Sequence, residues 1–188
     1  MLGNSFGINI KVPFNQDKMY PPKLKTSRLS LTPYSPKDED RFVEMALDEA
    51  SMRFMGGASG DEQEERRLFK KILEIYEGEN KRWFWIWGIY QKNLLSGHLE
   101  LKETTHTKAH ELEIVYMIHP SERRLGIMTE VLALLKKQQA FWQKRLIATI
   151  SPDNLASIAL LQRWGIETEE ILVNDETGKE YLKLLLEK

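Results

Sequence analysis

The chain has 188 residues, of which 41% are hydrophobic and 29% are charged, a length and composition typical of one globular domain with its own hydrophobic core. The net charge of −1 argues against a surface built to bind nucleic acid or anionic membranes, and no apolar run approaches the ~20 residues that span a bilayer. The absence of cysteine excludes disulfides, thiolate metal sites and a cysteine nucleophile.

Residues 1–24 are predicted to form an irregular arm ahead of a single domain that spans residues 25–188. Pro13, Pro21 and Pro22 interrupt any regular element in this segment. The first residues also lack the basic start and apolar core of a secretory signal, so we expect a cytoplasmic protein.

The first part of the domain is predicted to contain one strand followed by two helices. Residues 28–34 alternate leucine with polar residues, as in a half-buried strand. Residues 36–49 begin with proline and acidic residues, which favours a helix. Residues 51–60 are rich in glycine and methionine and are interpreted as a flexible loop. A second helix is predicted to begin at Asp61 and to end by Gly78.

Three strands joined by polar turns are predicted next, over residues 83–90, 94–101 and 112–118. The first of them is apolar on both faces, so we expect it in the centre of a sheet. Its three tryptophans are interpreted as core residues, because no basic residues interleave with them as they would in a platform for stacking bases.

The remaining elements alternate helices and strands before a closing hairpin. They are predicted over residues 127–144 (helix), 146–150 (strand), 154–164 (helix), 170–173 and 180–186 (hairpin). The second helix is expected to be capped by Asp153 or Asn154 and to stop at Gly165. This order predicts an α/β fold of the mixed α+β kind. We expect a central mixed, mostly antiparallel sheet of about six to seven strands with helices on both faces.

The junction between the third meander strand and the next helix carries the strongest local signal. Arg123, Arg124 and Gly126 separate the strand from the helix start. Backbone N–H groups and the dipole at a helix N-terminus favour an anion, and guanidinium groups suit phosphate oxygens. Gly126 allows close approach of a ligand to the backbone. The pattern indicates a phosphate or diphosphate site; the alternative is an ordinary junction with a solvated arginine pair.

Two motifs resemble the GNAT superfamily of acetyl-CoA-dependent N-acetyltransferases. Residues 123–128 (RRLGIM) are similar to the family's Arg/Gln-x-x-Gly-x-Gly/Ala diphosphate motif. Residues 154–157 (NLAS) and 164–166 (WGI) are similar to its Asn-x-x-Ser and Gly-Phe signature. The resemblance covers roughly residue 25 to the C-terminus. It implies the GNAT fold and transfer of an acetyl group from acetyl-CoA to a primary amine.

A finer resemblance points to one branch of this family, the branch that acetylates the N-termini of ribosomal proteins. Residues 25–42 are similar to the start of that branch, and Thr129-Glu130 follows the diphosphate motif as is frequent there. This resemblance implies that the acceptor is a protein or peptide N-terminal amine.

The resemblance also implies three kinds of contact with acetyl-CoA. Backbone groups of the third meander strand would meet the pantetheine amides and stabilise the oxyanion, the helix start would hold the diphosphate, and the following helix would lie near the pantetheine arm. The implied cofactor-binding residues are Met117, Ile118, Arg123, Arg124, Gly126, Ile127, Met128, Thr129, Asn154 and Ser157. Met128 replaces the motif's small residue, so either its side chain turns away along the helix or the affinity is lower. Asn154 either binds pantetheine or caps its helix.

Direct attack by the amine in a ternary complex is expected, because the chain has no cysteine that could carry the acetyl group. The amine must first lose a proton, and an α-amine of pKa ~8 needs less help than a lysine of pKa ~10.4. Glu113 lies where some family members carry a catalytic Glu and is predicted to be the base. Glu111, on the same face, is the reserve and could hold the cationic substrate. The alternatives for both are exposed edge carboxylates or structural ion pairs.

The acid that protonates the leaving thiolate is expected to differ from the family pattern. Many family members place a Tyr where this chain has Leu161. Ser157 is predicted to replace it, with its hydroxyl bonding the departing sulfur. The alternative is a helix serine that bonds its own backbone.

Three functions are consistent with these residues. The first is acetylation of a protein N-terminal amine. The second is acetylation of a small amine such as a polyamine or an amino-sugar, attracted by the acids Asp61, Glu62, Glu64 and Glu65. The third is a coenzyme A-binding module without turnover, for which Met128 and Leu161 are the motivation. No nucleic acid, membrane or metal partner is expected, and the sequence does not distinguish a monomer from a homodimer.

Overall fold

The computed structural model describes residues 20–57, 59–78, 84–164, 166–174 and 177–186. The strands are β1 Leu24–Lys25, β2 Leu29–Thr32, β3 Phe84–Gln91, β4 Leu94–Lys102, β5 Glu111–Ile118, β6 Arg145–Ile150, β7 Glu167–Val173 and β8 Glu180–Leu186. The α-helices are α1 Glu39–Ala46, α2 Glu49–Met52, α3 Glu62–Glu77, α4 Ile127–Trp142 and α5 Leu155–Gln162. The predicted arm up to residue 19, Trp83 and the predicted helix stop at Gly165 lie outside the described residues.

One sheet contains all eight strands, in the order β1-β2-β3-β4-β5-β6-β8-β7. Among the described strands β5 and β6 form a parallel pair, and the other neighbours are antiparallel. The predicted mixed, mostly antiparallel sheet is confirmed, but the expected count of six to seven strands is wrong. The additional strand is β1, whose Leu24 and Lys25 pair with Leu31 and Ser30 of β2. A strand of two residues has no alternating pattern that a sequence could show.

The apolar residues of the sheet divide between two cores, one on each face. On β3, Trp85, Trp87 and Ile89 pack in the core that contains α4, whereas Ile86 and Tyr90 pack in the core that contains α1 and α3. Side chains of a strand point alternately to the two faces, so a strand that is apolar on both must be covered on both. The predicted central position of β3 and the helices on both faces are confirmed.

The helices of the first face follow the predicted order with one correction. Asp61 caps α3, which ends before Gly78, as predicted. The predicted flexible loop after α1 is wrong in its first part, because α2 forms there. The carboxylate of Asp48 caps this short helix by accepting the N–H of Ser51 at 2.8 Å. A single turn of helix has too few residues for a periodic pattern, and its cap is the local signal that we did not use.

β5 and β6 separate along their length. Their last paired residues are Glu113 and Ile147. Beyond this pair β5 continues to Ile118 and β6 to Ile150 without further pairing between them. A parallel pair that opens in this way leaves the main-chain groups of its inner edges to another partner. We call this opening the β5–β6 gap.

Candidate active site

The turn from β5 to α4 exposes backbone donors. Arg124 and Gly126 both have positive φ, 62° and 71°. The N–H of Glu130 donates to the carbonyl of Gly126 at 3.1 Å, so the N–H groups of residues 126–129 precede the hydrogen-bonded ladder of the helix. Backbone of this kind forms a concave cradle of N–H groups, and the helix dipole points its positive end into it. The geometry favours a bound anion.

Side chains from the start of the domain hold this turn. Arg28 donates to the carbonyl of Leu125 at 2.9 Å and to the carboxylate of Glu130 at 2.5 Å. The hydroxyl of Thr26 also donates to Glu130. Burial raises the pKa of Glu130, but the hydrogen bonds from Thr26 and Arg28 outweigh this effect and hold it below its ordinary value. Glu130 therefore stays ionised, and Arg28 balances its charge beside the anion cradle.

On its other side the turn is connected to α1. The Nε2 atom of His119 lies 3.0 Å from the carboxylate of Glu44, and its Nδ1 atom accepts the N–H of Ser121 at 3.2 Å. Arg41 donates to Glu122 at 3.4 Å. These contacts fix the 3₁₀ turn of Pro120–Glu122, which precedes the two arginines of the motif.

The two arginines predicted to bind a diphosphate have different surroundings. Arg123 donates to the carboxylate of Asp48 and to the hydroxyl of Ser51, the latter at 2.6 Å. Burial raises the pKa of Asp48, but the hydrogen bonds from Arg123 and Ser51 outweigh this effect and lower it. Arg124 is exposed and has no hydrogen bond or ion pair with any described residue. Arg124 is thus the member of the pair that no carboxylate of the described residues neutralises.

The predicted residues at the start of α4 divide between core and surface. Ile127 and Met128 are buried in the core that α4 shares with the sheet, and Met128 is only 6% exposed. Thr129 is exposed. The side chain of Met128 therefore turns away along the helix and leaves the approach to the turn open, which is the first of the two outcomes expected for this departure from the motif.

The main chain of β5 presents alternate residues to the β5–β6 gap. The N–H of His119 donates to the carbonyl of Ser96 on β4 at 3.0 Å, and hydrogen-bonded pairs recur at every second residue of an antiparallel ladder. The main-chain groups of Met117 therefore point to β4, whereas those of Tyr116 and Ile118 point to the gap. Of the two residues predicted to meet a pantetheine chain through their backbone, Ile118 is placed to do so and Met117 is not.

Two hydroxyl groups beside the gap are buried without a partner. The oxygens of Tyr116 on β5 and Thr149 on β6 have no hydrogen bond with the residues described. Both residues line a cleft of about 810 Å³, here called the central cleft, that includes the gap. Burial raises the pKa of Tyr116, so its phenol stays protonated. Buried hydroxyls normally have partners, and these two indicate that a polar ligand occupies the gap.

The start of α5 lies on the same cleft. Asn154 caps this helix, since its Oδ1 atom accepts the N–H of Ser157 at 3.2 Å. Asn154 and Ser157 both line the central cleft. Ser157 neighbours Tyr116 and opposes the rise of its pKa, although the two hydroxyls lack the geometry of a full hydrogen bond. Leu161 is fully buried in the core.

The two candidate bases on β5 have opposite surroundings. Glu111 is fully buried, lies 3.1 Å from the Nζ atom of Lys183 and accepts the N–H of Lys108 at 3.0 Å. Burial raises the pKa of Glu111, but these hydrogen bonds outweigh it and lower the pKa. Glu113 is 8% exposed, lines the central cleft and has no hydrogen bond or ion pair with a described residue. Glu111 is thus a structural ion pair, the alternative stated for it, and Glu113 is the remaining candidate base.

A chain of polar contacts on β4 adjoins Glu113. His98 places Nδ1 2.8 Å from the hydroxyl of Tyr34 and Nε2 3.0 Å from Glu100, which lies 2.7 Å from the Nζ atom of Lys102. Burial raises the pKa of Glu100, but His98 and Lys102 outweigh this effect and lower it to about 2. Glu100 is therefore a permanent anion in the cleft and too weak a base to deprotonate an ammonium group.

The structure brings the predicted site residues Glu113, Asn154 and Ser157 into one cleft, together with polar residues that the sequence reasoning missed. Tyr116 lies three residues after Glu113, and the alternation of a strand could have placed it on the opposite face of β5. On β4, polar side chains occupy every second position from residue 98 to 102, which is the signal of a polar face inside an apolar strand.

The described residues contain no helix that is both long and apolar enough to cross a membrane. In the same part of the chain, no three histidine, cysteine, aspartate or glutamate side chains gather into a group that could hold a metal ion.

A comparison with protein families matches residues 28–167 to the acetyltransferase (GNAT) domain. The matched range covers most of the chain and contains the anion cradle, the β5–β6 gap and Glu113. No curated protein sequence matches the chain at a significant level.

Solved structures share this fold at low sequence identity. A GNAT-family acetyltransferase from Bacillus anthracis is 20% identical with a TM-score of 0.70, over 88% of this chain and 98% of that chain. An acetyltransferase from Salmonella typhimurium that modifies the N-terminal serine of ribosomal protein L7/L12 is 17% identical with a TM-score of 0.67, over 87% and 97%. A ribosomal L7/L12 α-N-protein acetyltransferase in complex with coenzyme A is 18% identical with a TM-score of 0.67, over 87% and 96%.

The geometry of the site fits the cofactor of the matched family. The N–H cradle at the start of α4 suits a diphosphate, and the β5–β6 gap with its two unpartnered hydroxyls suits a polar chain that carries amides. Sequence motifs, fold and family comparison agree that the chain belongs to the GNAT family of acetyltransferases and is an acyltransferase enzyme whose cofactor is acetyl-CoA.

Proposed function

We propose that this enzyme transfers the acetyl group directly to the N-terminal α-amine of a protein or peptide. The observation that carries the proposal is the central cleft, which joins the β5–β6 gap to Glu113. One end of the cleft has the unpartnered hydroxyls that suit the cofactor. The other end, here called the acceptor side, is lined by α1, α3 and residues 51–52 and 54–55. Donor and acceptor can therefore meet at one carboxylate.

The cofactor would be held along the turn and the gap. Residues 126–129 supply backbone N–H groups and Arg124 supplies a positive charge for the diphosphate. Main-chain groups of Ile118 point to the β5–β6 gap, and the polar side chains of Asn154 and Ser157 line the cleft, so these groups would contact the pantetheine arm. When bound, acetyl-CoA supplies an activated acetyl group and a thiolate leaving group.

Glu113 acts as the general base and takes the proton of the acceptor ammonium, directly or through a water molecule. It lies in the cleft without an ion pair to a described residue, whereas Glu111 is held by Lys183 and Glu100 has a pKa of about 2. An α-ammonium group has a pKa of ~8, about two units below that of a lysine side chain, so a carboxylate base suits an α-amine better.

Ser157 and Tyr116 present hydroxyls at the gap, where they can donate hydrogen bonds to the sulfur as it gains negative charge. Preorganised donors of this kind stabilise developing charge because they are already oriented when the charge appears. Burial keeps the phenol of Tyr116 protonated, so it acts as a donor. Two hydroxyls thus take the place of the Tyr that many family members have where this chain has Leu161.

Two observations favour a protein N-terminus as the acceptor. Residues 25–42 resemble the branch that acetylates ribosomal-protein N-termini. The structure from Salmonella typhimurium, whose activity is modification of an N-terminal serine, also shares the fold over most of both chains.

The test is release of thiol from acetyl-CoA in the presence of peptides with free N-termini. The same peptides with blocked N-termini are the controls, and small primary amines such as polyamines and amino-sugars compete in a parallel series. We expect at least one free peptide to gain one acetyl group at its N-terminus by mass spectrometry. Acetylation of small amines alone would contradict the protein acceptor, and acetylation of no amine would contradict the proposed transfer.

A further inference from the structure

A buried carboxylate on α3 faces the acceptor side of the central cleft. Glu65 is 3% exposed and lines the cleft. Its Oε1 atom accepts a hydrogen bond from the hydroxyl of Ser59 at 2.6 Å. Its Oε2 atom is buried and has no hydrogen-bond partner among the described residues, and no described cation forms an ion pair with Glu65.

The charges around Glu65 do not neutralise it. Of the two lysines that line the cleft, Lys102 lies 2.7 Å from Glu100, and Lys71 is exposed. A buried carboxylate without a cation or a full set of hydrogen bonds is unfavourable. A ligand that brings a positive charge to the Oε2 atom would remove this imbalance.

The other acids near the start of α3 have ordinary structural roles. Asp61 caps the helix, and Glu62 lies 2.8 Å from Arg66 on the next turn. Glu64 is exposed and does not line the cleft. The sequence presents these residues and Glu65 as one acidic run, and burial separates Glu65 from the rest.

We propose that Glu65 binds a second cationic group of the acceptor, an ammonium or guanidinium group other than the amine that is acetylated. This inference rests on the proposed function and narrows its substrate class. Glu113 deprotonates the amine that is acetylated. Glu65 selects acceptors that carry another basic group, such as a peptide with a basic residue near its N-terminus or a linear diamine. Ser59 holds one carboxylate oxygen of Glu65, which leaves the other for the ligand.

The first test compares kcat/KM for matched acceptors that differ by one charge. One pair consists of two peptides with lysine or norleucine at the second residue, and the other pair is a diamine and the monoamine of equal length. Charge-assisted hydrogen bonds in a desolvated site are strong, so we expect the wild-type enzyme to prefer the doubly charged member of at least one pair by about 10- to 100-fold. Which pair shows the preference distinguishes a peptide from a small amine.

Two variants of equal charge change separate Glu65 from general electrostatics. Glu65→Gln should reduce the preference to about 1, because kcat/KM for the doubly charged acceptor falls more than kcat/KM for the singly charged one. Glu64→Gln, on the same helix but outside the cleft, should keep the preference. An unchanged preference in Glu65→Gln, an equal loss in both variants, or an equal loss for both acceptors would overturn the inference.

A binding measurement keeps this inference independent of turnover. Calorimetric titration of the wild-type protein, saturated with coenzyme A that carries no acetyl group, should show tighter binding of the doubly charged acceptor than of its singly charged partner. If the enzyme acetylates no amine, the proposed function is wrong. The titration still tests whether Glu65 binds a cationic group. Equal affinity for the two partners would overturn it, as would an equal preference in the Glu65→Gln protein.

Discussion

The two ends of the β5–β6 pair differ in how their polar groups are satisfied. At the paired end, the Oε2 atom of the fully buried Glu111 lies 3.1 Å from Lys183 and accepts the N–H of Lys108. Its Oε1 atom has no hydrogen bond with a described residue and lies 3.9 Å from Arg145. At the open end, the hydroxyls of Tyr116 and Thr149 are buried without a partner among the described residues. Glu111 and Glu113 are the same residue type on the same face of one strand, two residues apart. What lies opposite each carboxylate, and not its place in a motif, decides its role.

This difference predicts opposite consequences of substitution. Polar groups that are satisfied within the protein contribute to its stability, whereas a buried unsatisfied group costs about 1–3 kcal/mol until a ligand satisfies it. Changes at the paired end should therefore lower the free energy of unfolding, and changes at the open end should impair binding or catalysis and spare the fold.

The largest effect is expected from Glu113→Gln. Loss of a general base lowers kcat by about 10²- to 10⁴-fold, while the melting temperature and the affinity for coenzyme A should stay close to those of the wild type. Steady-state thiol release and calorimetry measure the two quantities. A kcat within a factor of two of the wild-type value would show that Glu113 is not the general base.

The paired end is broken by Lys183→Met, which removes the cation 3.1 Å from the buried Glu111 and leaves it with Arg145 at 3.9 Å. Removal of one partner of a buried ion pair destabilises a protein by about 3–5 kcal/mol. Urea unfolding measures this loss. Lys179→Met, an exposed lysine near the start of the same strand, is the control, and the double variant Glu111→Leu with Lys183→Met should recover most of the lost stability. Equal stability of Lys183→Met and Lys179→Met would show that the pair does not hold this end of the sheet.

Glu100 is an intermediate case, since it lines the cleft but is paired with His98 and Lys102. Its pKa in the folded protein is about 2, below the ordinary value of 4.5, so its contribution to stability is complete above pH 4.5 and is lost as the pH falls toward 2. The shift corresponds to about 3 kcal/mol. Urea unfolding between pH 7 and pH 2 should show this loss in the wild type and a shallower loss in Glu100→Gln. Parallel pH profiles for the two proteins would contradict the pairing.

The smallest effect on the fold is expected from Tyr116→Phe. The phenol has no hydrogen-bond partner among the described residues, so its removal should leave the free energy of unfolding unchanged or raise it by up to about 1 kcal/mol. Affinity for coenzyme A or kcat should fall by about 10-fold, because a donor to the ligand is lost. Tyr90→Phe is the matched control: its hydroxyl donates to Asp38 at 2.8 Å, so that variant should be destabilised. A loss of stability in Tyr116→Phe as large as that in Tyr90→Phe would mean that Tyr116 has a structural partner.

Local rules predicted the features that depend on neighbours in the sequence. The cap at Asp61, the doubly apolar strand β3 and the strand–turn–helix junction at Gly126 each follow from a short run of residues. The partner of Glu111 is 72 residues away and that of Arg123 is 75 residues away, so no local pattern could assign either residue. The sequence could therefore indicate candidate residues, and it left open which of their charges are already paired.

The anion cradle is held almost entirely by distant residues, and this affects when it can form. Its anchors in the turn between β1 and β2 and in the first two helices lie 72 to 104 residues earlier in the chain than the groups they hold. Contacts of such separation are slow to close, because loop entropy is lost before they are made. Every one of these anchors precedes the turn in the sequence, so each has already been synthesised when the turn leaves the ribosome. During translation, the residues that anchor the turn are therefore available before the turn itself is synthesised.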